Sequence, residues 1–349
     1  MSLATIRRGI FLLLTLMMIG AAVAAFWAWQ QWQAVTTTPL AVDEAEYLQV
    51  DRGRSLISVM RELESRGLIQ DADRVRYWSR ITGEGRAIRA GEYRLEPGMT
   101  VPDLVSRMDR GEVVLHRLTL VEGWTFRQFR EALANHDAVQ STLDGVADEE
   151  IMAVLGYPEM HPEGWFLPET YSFPRGTSDR EILQRAHQSM REALEAIWQD
   201  RDGGLPFDTP YEALILASII ERETGQYGER RKVAGVFVRR LREGMRLQTD
   251  PTVIYGLPEG EYQGRLRYRH LRTDTPYNTY TRHGLTPTPI AMPGRASLEA
   301  AVQPLVGEYL YFVSRNDGTH HFSATLREHN RAVRKYQLGE EIDLGNGND

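Results

Sequence analysis

The chain has 349 residues, a formal net charge of −7 and no cysteine. That length accommodates a membrane segment plus two units with cores of their own. The acidic balance, with no basic module interleaved with aromatics, argues against a nucleic-acid partner, and the lack of cysteine excludes disulfides and thiolate metal sites while fitting any redox compartment.

Between Gly9 and Val42 the sequence carries no charge, and Ile10 to Trp29 is long enough to cross the hydrocarbon core of a bilayer. Arg7 and Arg8 stand just before it with no acid nearby, which orients the start of the chain to the cytoplasm, and Trp27, Trp29 and Trp32 form an interfacial belt at the far end. The expected segments are a cytoplasmic N-terminus at 1–9, a transmembrane helix at 10–32 and a linker at 33–46 around Thr36-Thr-Thr-Pro39. Ala22-Val-Ala24 offers a signal-peptidase site, but the apolar stretch exceeds the roughly 7–15 residues of a signal h-region, which favours a retained anchor. Either way the rest of the chain is expected outside the cytoplasm.

From Tyr47 to about Leu133 one short pattern recurs: an apolar residue, two variable residues, Gly, any residue, Ser or Thr, then apolar positions three apart. The copies are Val50-Asp-Arg-Gly53-Arg-Ser55-Leu56, Leu95-Glu-Pro-Gly98-Met-Thr100-Val101 and Leu120-Val-Glu-Gly123-Trp-Thr125-Phe126. Each predicts strand, glycine turn, N-cap and helix, with Thr125 and Gln128 as a capping box and Thr100 and Asp103 as an approximate one. Leu56, Val59, Met60 and Leu63 share one helical stripe, as do Val101, Leu104, Val105 and Met108. Residues 47–117 read as a first unit and 118–340 as a second.

Within the second unit, His161-Pro-Glu-Gly-Trp-Phe-Leu-Pro-Glu-Thr-Tyr171 holds Glu163, which either faces a cleft or pins a turn. Ala213 to Ile220 is apolar on every side at helical spacing apart from Ser218, so it predicts a helix buried all round. Glu221 closes that run on the face of Leu214, Ala217 and Ser218. A carboxyl held there loses hydration, which disfavours its charged form and suits proton donation near neutrality. The plainer alternative is that Glu221 is the first solvated residue at a helix end. Glu223 points to the opposite side, so the two glutamates are not a facing acid–base pair.

Arg230 to Glu243 predicts a helix with Val233, Phe237 and Leu241 on one stripe and Gly244 as its stop. Two segments then combine amides, hydroxyls and aromatic rings, the mixture a sugar-binding cleft uses: Arg246-Leu-Gln-Thr-Asp-Pro-Thr-Val-Ile-Tyr-Gly256, and Thr275-Pro-Tyr-Asn-Thr-Tyr-Thr281 followed by Gly284-Leu-Thr-Pro-Thr-Pro-Ile-Ala-Met-Pro-Gly294. Their candidate substrate contacts are Gln248, Thr249, Asp250, Asn278 and Tyr280. Asp-Pro and Tyr-Asn turns also serve many folds with no ligand. Asn316-Asp-Gly318 between Tyr309–Val313 and His320–Ala324 signals a hairpin. A last helix from about Leu326 to Leu338 precedes an acidic, glycine-containing tail at 341–349 expected to be disordered. His320, His321, Glu328 and His329 lack two-His helical spacing with a third ligand, so neither metal nor cofactor is expected. The fold class is α+β.

The order of these segments carries a resemblance. Ala217-Ser-Ile-Ile-Glu-Arg-Glu-Thr224, the Arg-Leu-Gln-Thr-Asp-Pro-Thr block, Tyr-Asn-Thr-Tyr and the Gly-Leu-x-Pro-x-Pro-Ile loop together resemble the endolytic murein transglycosylase family, over essentially the whole chain past the first forty residues. The Glu163 segment matches that family's Glu-Gly-aromatic-x-x-Pro-(Asp/Glu)-Thr-Tyr motif. Tyr93 to Val105 resembles a LysM module, a small peptidoglycan-binding fold, although Met99 stands where an acid is usual. Ordinary strand-turn-helix packing units remain the alternative. Met292 replaces the asparagine the family commonly has before Pro-Gly, which loses a polar contact.

The resemblance implies cleavage of the β-1,4 bond between N-acetylmuramic acid and N-acetylglucosamine inside glycan strands. The sugar's own C6 hydroxyl attacks the anomeric carbon, leaving 1,6-anhydromuramoyl ends. One glutamate, expected to be Glu221, then serves first as acid and next as base. It further implies peptidoglycan as substrate, membrane-bound peptidoglycan synthases as partners and a role in ending strand growth. Asp250, Glu163 and Asp274 are available as second carboxylates for a murein hydrolase, and a catalytically silent anchored scaffold is the other alternative.

Overall fold

The computed structural model describes residues 3–340; the tail expected to be disordered lies outside them. Two compact units form, the first from residues 1–116 with 173–176, the second from 117–172 with 177–349.

The first unit begins with α1 (Leu3–Thr36). Its stretch from Ile10 to Thr36 is long and apolar enough to cross a membrane and is not buried by the rest of the protein. Strands β1 (Glu46–Val50) and β2 (Gly91–Leu95) pair antiparallel, from Glu46 opposite Leu95 to Val50 opposite Gly91. Between them run α2 (Leu56–Ser65) and α3 (Ala72–Thr82), and α4 (Val101–Arg110) follows β2. Leu48, Val59, Met60, Leu63, Tyr93, Leu95, Leu104 and Met108 fill the core with almost no exposure. The linker expected at 33–46 is corrected by this packing. The helix continues to Thr36, and Val35, Leu40 and Val42 are buried in the same core, so apolar side chains spaced along that stretch tie it down.

The repeated motif forms as its sequence requires. Gly53, Gly98 and Gly123 each take a positive φ that a side chain would strain, and Ser55, Thr100 and Thr125 each cap the helix that follows. Thr100 and Asp103 make a complete capping box.

In the second unit β3 (Leu115–Thr119), which the chain enters from the first unit, leads to α5 (Phe126–Ala134), β4 (Val139–Gln140) and α6 (Ile151–Leu155). Then come β5 (Thr170–Pro174), whose last two residues count with the first unit, β6 (Thr177–Ser178) and the long α7 (Asp179–Gln199). β4 and β6 run parallel for two residues each. The centre is α8 (Pro210–Glu223), started by a Thr209 capping box with Pro210 in its first turn. Every residue from Ala213 to Ile220 is buried, as an all-round apolar helix demands. It packs among α7, α9 (Arg230–Arg242) and α12 (Arg295–Val302). Short helices α10 (Asp250–Tyr255) and α11 (Tyr268–Arg272) precede α12, and the antiparallel hairpin of β7 (Tyr311–Ser314) and β8 (His320–Ser323) leads to α13 (Leu326–Leu338). Asn316 and Gly318 hold the positive φ values of the expected turn. The described fold is therefore mixed helix and strand, with strands only in small pairs.

Candidate active site

Helix α8 ends where Thr224 turns extended, its N–H still bonded to the Ile220 carbonyl. Its last turn sends Glu221 and Glu223 to different neighbourhoods. One turn earlier, fully buried Ser218 donates to the Ile215 carbonyl and accepts the Ile290 N–H at 3.0 Å, which fixes the proline-rich loop against the helix. Ser218→Ala should leave that buried N–H unpaired and cost about 1–3 kcal/mol, measurable as a lower denaturant midpoint at unchanged slope.

Glu221 is locked. One carboxylate oxygen accepts from Arg230 Nη2 at 3.1 Å and the other from the Gly294 N–H at 2.9 Å, and the side chain is only 5% exposed. Arg230 also donates through Nε to Ser297 and lies 3.6 Å from Glu122. Glu122 is pushed upward in pKa, first by burial and then by the negative Glu221, against the pull of Arg230. Both Glu221 oxygens thus already have donors, so Glu221 is not simply the first solvated residue at a helix end.

Glu223 keeps partial solvent exposure and faces the polar blocks. It accepts a hydrogen bond from the Thr249 hydroxyl. Thr249 is itself held by the Thr279 hydroxyl, which accepts the Thr249 N–H at 3.1 Å and shares a 2.8 Å bond with the Thr252 hydroxyl. Tyr280 donates to Asp250 at 2.7 Å beside it. Burial raises the Glu223 pKa to about 7, opposed by the Thr249 bond, reinforced by the negative Asp250 and trimmed by His320 and Arg240. His320 is oriented by Glu229, whose two oxygens meet its ring Nδ1 at 2.7 Å and its backbone N–H at 3.0 Å. Arg240 is spent on the carbonyls of Leu247 and Leu310. Its carboxyl is thus raised towards neutrality by burial while it accepts from the Thr249 hydroxyl and keeps intermediate exposure, the range in which a carboxyl can exchange a proton near neutral pH.

The other expected contacts divide. Gln248 is exposed at the rim, with a φ of 49° that a non-glycine residue seldom adopts, and its N–H is held by the Thr279 carbonyl. Thr249, Asp250 and Tyr280 surround Glu223. Asn278 does not belong with them: it is fully buried, its amide donates to the carbonyls of His270, Leu271 and Thr273, and its oxygen accepts the Tyr280 N–H. It shapes the loop that delivers Tyr280. Asp274 is exposed and held low, to about 2, mainly by Arg282 and Thr281. Met292 is buried, and its backbone exchanges bonds with Trp124 and Gly123, so the loop is held without a polar side chain.

Glu163 is the pin of a turn. Its oxygens accept the Phe126 N–H and the Tyr255 hydroxyl, each at 3.0 Å, and the residue is 4% exposed. Gly164 beside it has φ 86°, and a Cβ there would lie 2.5 Å from Pro289. Burial, partly offset by those two bonds, raises Glu163 to about 7. The unfolded chain titrates near 4.5 and the folded one near 7, so the folded state holds the extra proton between them. This contribution is complete below about pH 4.5 and is lost as pH rises through about 7. Glu163→Gln should therefore flatten part of the fall in thermal midpoint between about pH 5 and 8, by at most on the order of 3 kcal/mol. An unchanged slope would contradict the assignment.

Sequence reasoning passed over Glu122, Arg230, Glu229 and Arg240, and it expected the chemistry at Glu221 rather than on the face of α8 that carries Glu223. The available signal was the second face of the same helix: Leu216, Ile219 and Ile220 back Glu223 as fully as Leu214, Ala217 and Ser218 back Glu221.

The chain is thus a mixed helix–strand protein whose buried central helix ends in two glutamates, one paired with Arg230 and the Gly294 N–H and the other bonded to the Thr249 hydroxyl. The YceG-like family matches residues 48–335, and the chain belongs to that family. It is 31% identical over 307 residues to the endolytic murein transglycosylase of Bacillus subtilis (strain 168), covering 83% of this chain and 84% of that protein. It is 25% identical over 343 residues to the endolytic murein transglycosylase of Streptococcus pneumoniae serotype 2 (strain D39 / NCTC 7466), covering 85% of this chain and 60% of that longer protein. The 2.6 Å crystal structure of a yceG-like protein from Listeria monocytogenes is similar with a TM-score of 0.53 at 31% identity, over 83% of this chain and 99% of that one.

Proposed function

We propose that the protein is an endolytic lytic transglycosylase that cuts the MurNAc–GlcNAc β-1,4 bond within peptidoglycan strands and leaves 1,6-anhydroMurNAc ends. Membership of the YceG-like family and relatives named endolytic murein transglycosylases support this reading. The observation that carries the chemistry is the Glu223 carboxyl, raised to about 7 by burial and partly exposed beside Thr249, Asp250 and Tyr280. Protonated Glu223 donates to the glycosidic oxygen as the bond to the anomeric carbon breaks. The resulting carboxylate then takes the proton of the C6 hydroxyl as that oxygen bonds to the same carbon. No water is consumed and the glutamate ends as it began. Asp250 and Tyr280 orient sugar hydroxyls, and Gln248 reaches them from the rim. Glu221 holds the helix end and the Gly294 loop in register.

Three further assignments belong to this proposal. The first unit is LysM-like, supported by its βααβ order from β1 to β2. Helix α1 is a single-pass anchor in the cytoplasmic membrane with the bulk of the chain outside, supported by its uncharged span after Arg7 and Arg8. Membrane-bound peptidoglycan synthases are partners, as the resemblance implies. Mass analysis of glycan strands digested by the purified protein tests the central reading. Anhydro ends are expected; hydrated reducing ends would identify a hydrolase, and intact strands a scaffold.

A further inference from the structure

Helix α1 does not hand over to a flexible tether. Its final turns pack against α3 and α4 of the first unit, so that unit is held rigidly at the end of the membrane helix. A hydrocarbon core of about 30 Å takes about 20 helical residues, so a helix entering at Ile10 leaves it near Trp29. The level at which α3 meets α1 is therefore the headgroup layer. There a groove of about 660 Å³ opens between the two helices, lined on its apolar side by Trp27, Trp32, Tyr77 and Ile81 and at the start of α3 by Asp71, Asp73 and Arg74.

The outer face of α3 is unusual for a surface helix. Tyr77 is 64% and Ile81 73% exposed, and between them on the same face lies exposed Arg80, with Arg76 alongside. Aromatic and aliphatic side chains beside arginines are what the boundary between headgroups and acyl chains favours, where a ring takes the apolar side and a guanidinium meets phosphate. Asp71 and Asp73 at the start of α3 do not oppose this. Asp71 is spent on capping the helix and on Arg74 at 3.0 Å, and Asp73 lies in the first turn, where the helix dipole favours it.

We propose that α3 is a second membrane-contacting element, with Tyr77 and Ile81 seated among phospholipids at the outer end of α1 and the groove beside Trp27 and Trp32 filled by lipid. The first unit is thereby fixed at the bilayer surface in one orientation. This rests on α1 spanning a membrane and is independent of the catalytic reading. The argument is continuity: the apolar surface of α3 extends the surface that α1 presents to lipid.

The chain has no cysteine, so single cysteines introduced at Tyr77, Ile81 or Trp27 of the full-length protein can each carry a polarity-sensitive fluorophore. Each labelled protein is placed in phospholipid nanodiscs with and without lipids bearing a nitroxide high on the acyl chain. Labels at Tyr77→Cys and Ile81→Cys should be quenched within a factor of about two of the label at Trp27→Cys. Quenching at Trp27→Cys with none at the α3 positions would overturn the proposal while leaving α1 in the bilayer. No quenching at Trp27→Cys would overturn both.

Discussion

Glu223→Gln is expected to abolish formation of anhydro ends, by about 10²–10⁴-fold, or about 3–5 kcal/mol of barrier, with the fold intact. Glutamine keeps the shape and accepts the Thr249 hydrogen bond, yet it can neither give nor recover a proton. The control is built into the electrostatics. Burial raises the Glu223 pKa to about 7 from 4.5, so the folded state binds an extra proton between those values and loses that stabilisation as pH rises. A neutral glutamine is free of that loss, so above about pH 7.5 the variant should be at least as stable as the wild type. The wild-type kcat/KM should fall above about pH 7 as the acid is lost. If Glu223→Gln keeps more than about a tenth of the wild-type rate while Glu221→Gln does not, the chemistry belongs to Glu221.

How much of this was legible beforehand follows from where the information lies. The buried run of α8 and the repeated strand-turn-helix units are set by periodicity and capping within a few residues, and the structure forms them where the sequence places them, while the Thr209 capping box that starts α8 was not read from the sequence. The linker was misread because Val35, Leu40 and Val42 are spaced too widely to show a period, yet each finds a place in the first core. The different surroundings of Glu221 and Glu223 lie beyond local pattern. Both faces of α8 are apolar, so desolvation alone favours neither. What separates them is long-range: Arg230, Gly294 and Glu122 arrive on one side, and Thr249, Asp250 and Tyr280 on the other. Asn278 looked like a sugar contact for a related reason, since an amide that braces a loop and one that binds a hydroxyl look alike in sequence.

Arg230→Met is expected to have the largest effect on stability, about 3–5 kcal/mol, because it strands Glu221 in a buried site without its counter-charge. The Arg230 side chain is 9% exposed and the Glu221 side chain 5%, so little water reaches the pair to compensate. Glu122, already raised by burial and by Glu221, would lose the cation that opposes that rise. Glu221→Gln removes the negative charge instead, keeps an acceptor for Arg230 or for the Gly294 N–H but not for both, and leaves Glu122 to pair with the arginine. Its cost should be smaller, about 1–3 kcal/mol. Combining the two substitutions should recover part of the loss, since a buried neutral amide beside methionine costs less than an orphaned carboxylate. Denaturant titration of the two single variants and the double variant measures that coupling. Turnover per folded molecule should stay within about tenfold of wild type in Glu221→Gln, against the 10²-fold minimum expected for losing the proton donor. A strictly additive double variant would mean that Glu221 and Arg230 do not stabilise each other and that the helix end is held by Ser218 and Thr224 alone.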